Sequence, residues 1–221
     1  MESAEQYQQN IVIVDTGCAN LSSVKFAIEH LGYQVTVSDD IDTITNADKV
    51  ILPGVGSASH AMKNINAKGL VKTLQQLKQP VLGFCLGMQL MTESSTEGVN
   101  LSLENTALLP SASSLSTVSC LGVIPVTIVP LSVGPLRLPH MGWNTLTTVS
   151  DHPILKDINV GDYFYFVHSY AAPVSEYTLA SCEYGQPFSA IIAKNNFIGC
   201  QFHPERSSKL GSKIINNFLN L

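Results

Sequence analysis

Short apolar runs alternate with segments of helical periodicity in the first half of the chain. Ile11–Val14 is β-branched and predicts a strand buried on both faces. After a turn at Gly17, Asn20 is a suitable N-cap for a helix whose apolar positions recur from Leu21 to Leu31. Further strands are predicted at 34–37, 49–52 and 80–84, and helices at 58–77 and 86–91. This alternation predicts a mostly parallel sheet flanked by helices, an α/β fold.

The second half is richer in predicted strands. These cover residues 163–167, 178–182, 189–193 and 197–202, and a helix over 207–219 closes the chain. Residues 102–120 are rich in Ser and Leu and carry one charge, Glu104, so we interpret them as an insertion or loop. Residues 1–221 suit one domain of generous size.

Composition narrows the function classes. The apolar fraction of 45% is ordinary for a globular core, and the formal net charge of −5 argues against a nucleic-acid or anionic membrane partner. The N-terminus is polar and acidic, unlike a secretory signal, and no apolar run approaches the roughly 20 residues that span a bilayer. The five cysteines form no Cys-x-x-Cys pair, which favours a reducing compartment. We expect a cytoplasmic protein.

Residues 83–87 read Gly-Phe-Cys-Leu-Gly, between a predicted strand and a predicted helix. This is the cysteine form of a nucleophile elbow, a tight turn that projects its side chain. The N-terminus of the following helix favours the reactive thiolate, and the N–H of Leu86 is placed to donate to an oxyanion. A lone cysteine is more often a small buried hydrophobe, but the two glycines and the strand–turn–helix context favour Cys85 as a nucleophile.

His203-Pro204-Glu205 follows the last predicted strand. Residues i and i+2 of an extended chain point the same way, and Pro204 favours an extended His203. A cysteine nucleophile needs a base, and the base needs a third group to fix its tautomer. His203 and Glu205 fit these roles, although His-x-Glu alone is more often a solvated pair.

Residues 53–56, Pro-Gly-Val-Gly, form a glycine-rich segment at a strand end. It is either an ordinary turn or the source of a second oxyanion donor, and it lacks the Lys of a phosphate loop. No histidine spacing indicates a metal site, and we expect no cofactor.

The motif at 83–89, Gly-Phe-Cys-Leu-Gly-Met-Gln, and Phe-His-Pro-Glu at 202–205 resemble the class I glutamine amidotransferases. Four further motifs resemble the branch that forms the glutaminase subunits of imidazole glycerol phosphate synthase. They are Asp-Thr-Gly-Cys-Ala-Asn-Leu at 15–21, Leu-Pro-Gly-Val-Gly at 52–56, Pro-His-Met-Gly-Trp-Asn at 139–144 and Tyr-Phe-Val-His-Ser-Tyr at 165–170. The resemblance runs from about residue 11 to 219.

The resemblance implies a flavodoxin-like fold and a Cys85–His203–Glu205 triad that hydrolyses L-glutamine to glutamate and ammonia. It implies that Gln89 holds glutamine, that Ser169 and Tyr170 contact glutamine through their backbone, and that Gly54 completes an oxyanion hole with Leu86.

The resemblance also implies a partner. A (β/α)8-barrel cyclase subunit would receive the ammonia and make imidazole glycerol phosphate and an aminoimidazole carboxamide ribotide (AICAR) in histidine biosynthesis. His140, Trp143 and Asn144 would lie near the face that docks this barrel. Trp143 could also be a core aromatic, although aromatic residues are enriched at interfaces. The chain departs from the family pattern between Ser94 and Leu138, where Pro125 follows Leu-Gly-Val-Ile and the 102–120 segment is added.

Three alternatives remain open. The chain could feed ammonia to another acceptor, act as a cysteine hydrolase or peptidase, or be a catalytically inactive binding subunit. The 139–144 motif favours the cyclase branch, Gln89 and the order His-Pro-Glu favour glutamine over a peptide, and intact Cys85, His203 and Glu205 oppose the inactive subunit.

Overall fold

The computed structural model describes residues 9–17, 20–97 and 117–221. Within these ranges the strands are β1 (Ile11–Val14), β2 (Val35–Ser38), β3 (Lys49–Gly54), β4 (Val81–Cys85), β5 (Thr92–Ser95), β6 (Val118–Ser119), β7 (Ile124–Pro130), β8 (His140–Val149), β9 (Tyr163–His168), β10 (Tyr170–Ala171), β11 (Thr178–Tyr184), β12 (Gln186–Lys194) and β13 (Phe197–Cys200). The helices are α1 (Leu21–Glu29), α2 (Ile41–Thr45), α3 (Ala58–Ala67), α4 (Val71–Gln76), α5 (Leu86–Leu90) and α6 (Ser208–Leu219).

The main sheet of the described residues has nine strands in the order β2-β1-β3-β4-β13-β12-β11-β8-β9. The strands from β2 to β13 pair in parallel, whereas the pairs from β13 to β9 are antiparallel. The predicted α/β class is confirmed, but the sheet is evenly mixed rather than mostly parallel. The smaller sheet, β10-β7-β5-β6, also combines both pairings.

Each face of the parallel half has its own core. Ile11 and Ile13 of β1 pack in one apolar cluster, and Val12 and Val14 pack in the other. Successive side chains of a strand point to opposite faces, so a continuous apolar run is what a strand covered on both sides requires. Helices α1 and α6 contribute to the first cluster, and α3, α4 and α5 contribute to the second.

Capping residues and glycines in the sequence coincide with the ends of several helices. Asn20 caps α1, with its side-chain oxygen accepting from the N–H of Ser23. The predicted 58–77 helix is two helices, α3 and α4, separated around Gly69. Strands β5 to β8, strand β10 and helix α2 were not predicted. Of the predicted insertion, residues 102–116 lie outside the described residues, and β6 near its end pairs with β5.

The packing of the elbow, residues 83–87, sets the position of the site. A Cβ added to Gly87 would lie 1.7 Å from the carbonyl oxygen of Leu52 in β3, and one added to Gly83 would lie 2.7 Å from backbone atoms of Gly87 and Met88. A Cβ on Gly199 of β13 would lie 2.5 Å from the Met88 side chain. Only glycine fits at these three positions, because the backbone of α5 lies directly against the sheet.

We expect Gly87→Ala to lower the free energy of unfolding by about 3 kcal/mol or more, because the added methyl group must displace the backbone of β3. The control is Gly32→Ala, where φ is +89° and nothing lies within 4 Å of the added Cβ, so only about 1–2 kcal/mol of backbone strain applies. Urea unfolding of both variants measures the difference. Equal losses would show that close packing does not constrain the elbow.

Candidate active site

Cys85 lies at the junction of β4 and α5 with φ 50° and ψ −108°. Positive φ is uncommon for residues other than glycine, and strained backbone of this kind concentrates at functional sites. Cys85 is mostly buried, and its side chain lines a cavity of about 230 Å³. The predicted strand–turn–helix elbow is thus present in the structure.

His203 reaches the same cavity from the neighbouring strand. β13 pairs in parallel with β4, so the carboxyl ends of both strands meet at one edge of the sheet. His203 follows β13, with its N–H donating to the carbonyl of Tyr165 at 2.9 Å. It has the predicted extended conformation, with φ −97° and ψ 97°. Cys85 and His203, far apart in sequence, are therefore brought together by strand pairing.

Glu205 holds the imidazole of His203. Its Oε1 lies 2.8 Å from His203 Nδ1, and its side chain is only 5% exposed. Glu205 lies in a 3-10 turn, Pro204–Arg206, not on a continuing extended chain. The pairing of Glu205 with His203 is as predicted, but the predicted reason is wrong. The turn directs the Glu205 side chain to His203, and strand alternation does not. Because Nδ1 is hydrogen-bonded to Glu205, Nε2 is the ring nitrogen that can exchange a proton with a group in the cavity.

The pKa of His203 is strongly perturbed. Burial lowers it, but hydrogen bonds to Cys85 and Glu205 and the negative charges of the same two groups raise it to about 10. These two partners therefore stabilise the protonated imidazole, which is the form that His203 reaches once it has taken the proton of a thiol. Perturbed ionisation in a cavity is itself an indication of a functional site.

The buried side-chain amides of Gln201 and Gln89 form a hydrogen-bonded pair next to Cys85. Gln201 Nε2 lies 3.8 Å from Cys85 Sγ, and its Oε1 accepts from Gln89 Nε2 at 3.0 Å. The second N–H of Gln89 donates to the carbonyl of Tyr170 at 3.1 Å. Both hydrogens of the Gln89 amide are thus engaged within the protein, and Gln89 also lines the cavity. Sequence reasoning missed Gln201. The sequence offered one signal, a polar residue directly after an apolar strand, and the structure shows that this residue is fully buried.

The remaining predicted binding residues border the same cavity. Leu86, Gln89, Ser169 and Tyr170 line it together with Cys85 and His203. Gly54 does not: it is the last residue of β3, paired with Cys85, and Val55 and Gly56 are the residues of that segment that border the cavity. The segment therefore reaches the cavity through Val55 and Gly56, and the oxyanion role of Gly54 stays a prediction.

Two charged residues missed by sequence reasoning also line the cavity, Glu97 and Arg206. Burial raises the pKa of Glu97, and a backbone hydrogen bond with Ala58 opposes that shift. The Arg206 guanidinium lies over the Tyr165 ring at 4.6 Å. A cavity with one carboxylate and one guanidinium suits a zwitterionic ligand. Neither residue belongs to a motif with recognisable spacing.

The other described cysteines have a different environment. Cys120, Cys182 and Cys200 are buried. Burial raises the pKa of Cys120 and of Cys182 to about 12, and it also raises that of Cys200. Among the described residues, no group of three or more His, Cys, Asp or Glu side chains converges as in a metal site.

The predicted interface residues lie on two faces of β8. Trp143 is 52% exposed and Met141 is also exposed. Across the β8–β9 pair they face Tyr165 and Val167, and Val167 lines the cavity. We call Met141, Trp143, Tyr163, Tyr165 and Val167 the docking face. It is continuous with the cavity mouth.

His140 points the other way. It is 3% exposed and stacks between Phe166, at a centroid distance of 5.0 Å, and Tyr184, at 4.0 Å. Strand alternation thus turns this side chain into the core, and the position of His140 near the partner face stays a prediction. Asn144 is partly buried and donates to the Glu183 carbonyl at 2.9 Å.

A thiol on a strained strand-to-helix turn, beside a histidine held by a carboxylate, defines the class of cysteine-dependent acyl-transfer sites on α/β folds. Comparison with known proteins agrees with this class. The family profile "Glutamine amidotransferase class-I" matches residues 12–221. The imidazole glycerol phosphate synthase subunit HisH of Colwellia psychrerythraea is 69% identical over 210 residues, 95% of this chain and 92% of that protein. The HisH subunit of Photobacterium profundum is 53% identical over 96% of this chain and 98% of its own length.

Solved structures agree on the fold. A putative GMP synthase subunit from Thermoplasma acidophilum aligns with a TM-score of 0.68 at 15% identity, over 97% of this chain and 94% of that one. At this identity the likeness shows the fold alone. From its relatives, the chain belongs to the class-I glutamine amidotransferase family, and within it to the HisH subunits of imidazole glycerol phosphate synthase. In the described ranges, no helix has the length and apolarity needed to cross a membrane.

We expect Glu205→Gln to lower the pKa of His203, because it removes a hydrogen-bonded negative charge. The folded-state value of about 10 lies above the unfolded value of about 6.5. The proton on His203 therefore stabilises the fold fully below about pH 6.5, and this stabilisation is lost as pH rises through about 10. The Glu205→Gln variant should lose this stabilisation at a lower pH than the wild type.

NMR titration of the His203 ring and urea unfolding across this pH range test the prediction. Glu29→Gln is the control, since Glu29 pairs only with exposed Lys25 at 3.7 Å. An unchanged His203 titration in Glu205→Gln would contradict the assigned cause.

Proposed function

We propose that this chain is the glutaminase subunit of an imidazole glycerol phosphate synthase and hydrolyses glutamine at Cys85. The observation that carries the proposal is the convergence of Cys85, His203 and Glu205 in one cavity, in a chain that belongs to the HisH family. The ammonia released is used by a partner subunit.

The reaction follows from the positions of the groups. His203 takes the proton of the Cys85 thiol, and the thiolate attacks the side-chain amide carbon of glutamine. The resulting oxyanion is stabilised by backbone N–H groups of Leu86 and of the 53–56 segment. The C–N bond breaks as His203 returns the proton to the leaving nitrogen, which departs as ammonia. Water, deprotonated by His203, then attacks the thioester and releases glutamate and the free thiol.

Glutamine suits the groups that line the cavity. Its α-ammonium and α-carboxylate groups share one carbon atom, and Glu97 and Arg206 are the charged residues of the lining that we assign to them. We assign Gln89 and the backbone of Ser169 and Tyr170 to hydrogen bonds with the same substrate. A peptide substrate would need an extended groove, whereas this cavity is small and carries both charges that a free amino acid requires.

The partner is a (β/α)8-barrel cyclase that binds the docking face. This face is apolar and aromatic, which suits the core of an interface. Because Val167 belongs both to the docking face and to the cavity lining, a subunit seated there would cover the exit of the site. Ammonia would then pass into the barrel and not into solvent.

We expect Cys85→Ala to abolish glutamate release from glutamine and to leave binding of the cyclase barrel unchanged, because the thiol lies inside the cavity and is not one of the side chains of the docking face. Glutamate release is measured for the chain alone, with the barrel, and with the barrel and its ribulosyl-phosphate ligand. Wild type should respond strongly only to the complete mixture. Retained activity in Cys85→Ala would overturn the mechanism.

High activity of the wild-type chain alone, unaffected by the barrel, would keep the cysteine mechanism and assign the ammonia to another acceptor. No glutamate release in any mixture would reject the glutaminase function itself.

We expect Trp143→Ala to weaken binding of the cyclase barrel by about tenfold or more, since exposed tryptophans near an interface centre contribute most of the binding energy. Phe26→Ala is the matched control, because Phe26 is an exposed aromatic residue, 66% accessible, on α1 and outside the docking face. Titration calorimetry compares the two dissociation constants. Equal values would exclude the docking face as the interface.

A further inference from the structure

A continuous set of hydrogen bonds crosses the interior from β8 to the cysteine. Asn144 Nδ2 lies 3.2 Å from His140 Nε2, His140 Nδ1 lies 3.0 Å from His168 Nε2, and His168 Nδ1 lies 2.9 Å from the carbonyl oxygen of Tyr170. We call these three side chains the histidine chain. Its last acceptor, the Tyr170 carbonyl, also accepts from Gln89.

The two ends of the histidine chain determine the tautomer of each ring. The Asn144 amide nitrogen can only donate, so His140 Nε2 must accept and His140 must carry its proton on Nδ1. His140 then donates to His168 Nε2, which leaves the proton of His168 on Nδ1. That proton meets the Tyr170 carbonyl, which can only accept. All three contacts are satisfied by one arrangement of protons.

Burial keeps both rings neutral and fixed. His140 and His168 are 3% and 6% exposed. Burial lowers the pKa of His140 to about 4 and that of His168 to about 3, in the second case with contributions from the neighbouring His140 and His203. Phe166 and Tyr184 stack on His140, and the Phe188 ring lies 4.9 Å from His168. At neutral pH the rings therefore act as directed hydrogen-bonding groups and not as charges.

The Tyr170 carbonyl connects the histidine chain to the catalytic residues. Gln89 donates one N–H to this carbonyl and the other to Gln201 Oε1, and Gln201 Nε2 lies 3.8 Å from Cys85 Sγ. The position of the carbonyl therefore sets the Gln89 amide, which sets the Gln201 amide beside the sulfur. Tyr170 and Gln89 also line the glutamine cavity.

We propose that His140 and His168 are positioning residues of the glutaminase site, whose fixed tautomers hold the Tyr170 carbonyl and, through Gln89 and Gln201, the surroundings of Cys85. The proposal rests on the proposed function and adds the residues that orient its site. The first donor, Asn144, lies on β8 next to Trp143. The β8–β9 pair thus carries the docking face on one side and the histidine chain on the other.

The decisive comparison is His140→Phe against His140→Gln in the complex with the cyclase barrel and its ligand. Phenylalanine keeps the stacking between Phe166 and Tyr184 but has no hydrogen-bonding atom. Glutamine can accept from Asn144 with its oxygen and donate to His168 with its nitrogen, in the same direction as the imidazole. We expect His140→Phe to lower kcat/KM for glutamine by about tenfold or more, as a misplaced catalytic group does. His140→Gln should recover most of this loss.

Thermal unfolding of each variant separates positioning from folding. The control is His152→Phe, since His152 is a partly buried histidine that accepts from the Ile154 N–H at 3.2 Å, outside the histidine chain. It should change stability without changing kcat/KM. Equal kcat/KM for wild type and His140→Phe would overturn the proposal, as would an equal loss in the Phe and Gln variants.

A direct measurement does not depend on any variant folding. Nitrogen-15 NMR of the imidazoles in the full wild-type chain should show both His140 and His168 neutral and protonated on Nδ1. Protonation of His168 on Nε2 would overturn the proposal. If the tautomers are as expected but wild type releases no glutamate in any mixture, the proposed function fails and the proposal that rests on it fails for that separate reason. Active wild type with an unaffected His140→Phe rejects the positioning role alone.

Discussion

The close approach of the elbow to strand β3 is the contact on which the rest of the site depends. With Gly87 lying directly against the Leu52 carbonyl, α5 begins at the edge of the sheet with no space for a side chain between them. This contact holds Cys85 at φ 50°, a conformation that the isolated chain would disfavour. Because β13 lies beside β4 in the sheet, the same arrangement fixes the distance at which His203 meets the thiol. The cores on both faces of the sheet supply the free energy that maintains this strain.

Local sequence patterns predicted most of the parallel half of the fold. Buried parallel strands are continuous apolar runs, and the helices between them carry caps and glycine stops, so β1, α1, β3 and β4 could be identified from short windows. Strands β5 to β8 could not, because they share no such pattern: β5 is entirely polar, β7 carries two prolines, and β8 begins with a mixture of polar, aromatic and glycine residues. Their pairing depends on tertiary context, to which β-propensity is a weak guide. The assignment of residues 1–221 to one domain stays a prediction.

The same limit applies to the site. Cys85 and His203 lie in motifs with recognisable spacing, so the sequence identified them as candidates. Glu97 lines the cavity from a segment distant in sequence from both motifs. Gln201 and Arg206 flank the His203 motif, but only the folded chain shows that Gln201 lies beside the Cys85 sulfur and that Arg206 lines the cavity. His140 was expected near the partner surface because it belongs to the same 139–144 motif as Trp143, but the two side chains face opposite sides of β8. One residue along a strand reverses the face, and the sequence alone does not say which face is the core.

The burial of three cysteines has a consequence for chemical labelling. Alkylating reagents react with thiolates, and thiols buried in apolar surroundings are inert. Cys120, Cys182 and Cys200 lie in such surroundings, whereas Cys85 faces a cavity that binds a small polar ligand. Of these four thiols, only Cys85 is open to a small electrophile carried on an amino-acid scaffold. The fold thus protects Cys120, Cys182 and Cys200 from the alkylation to which Cys85 is open.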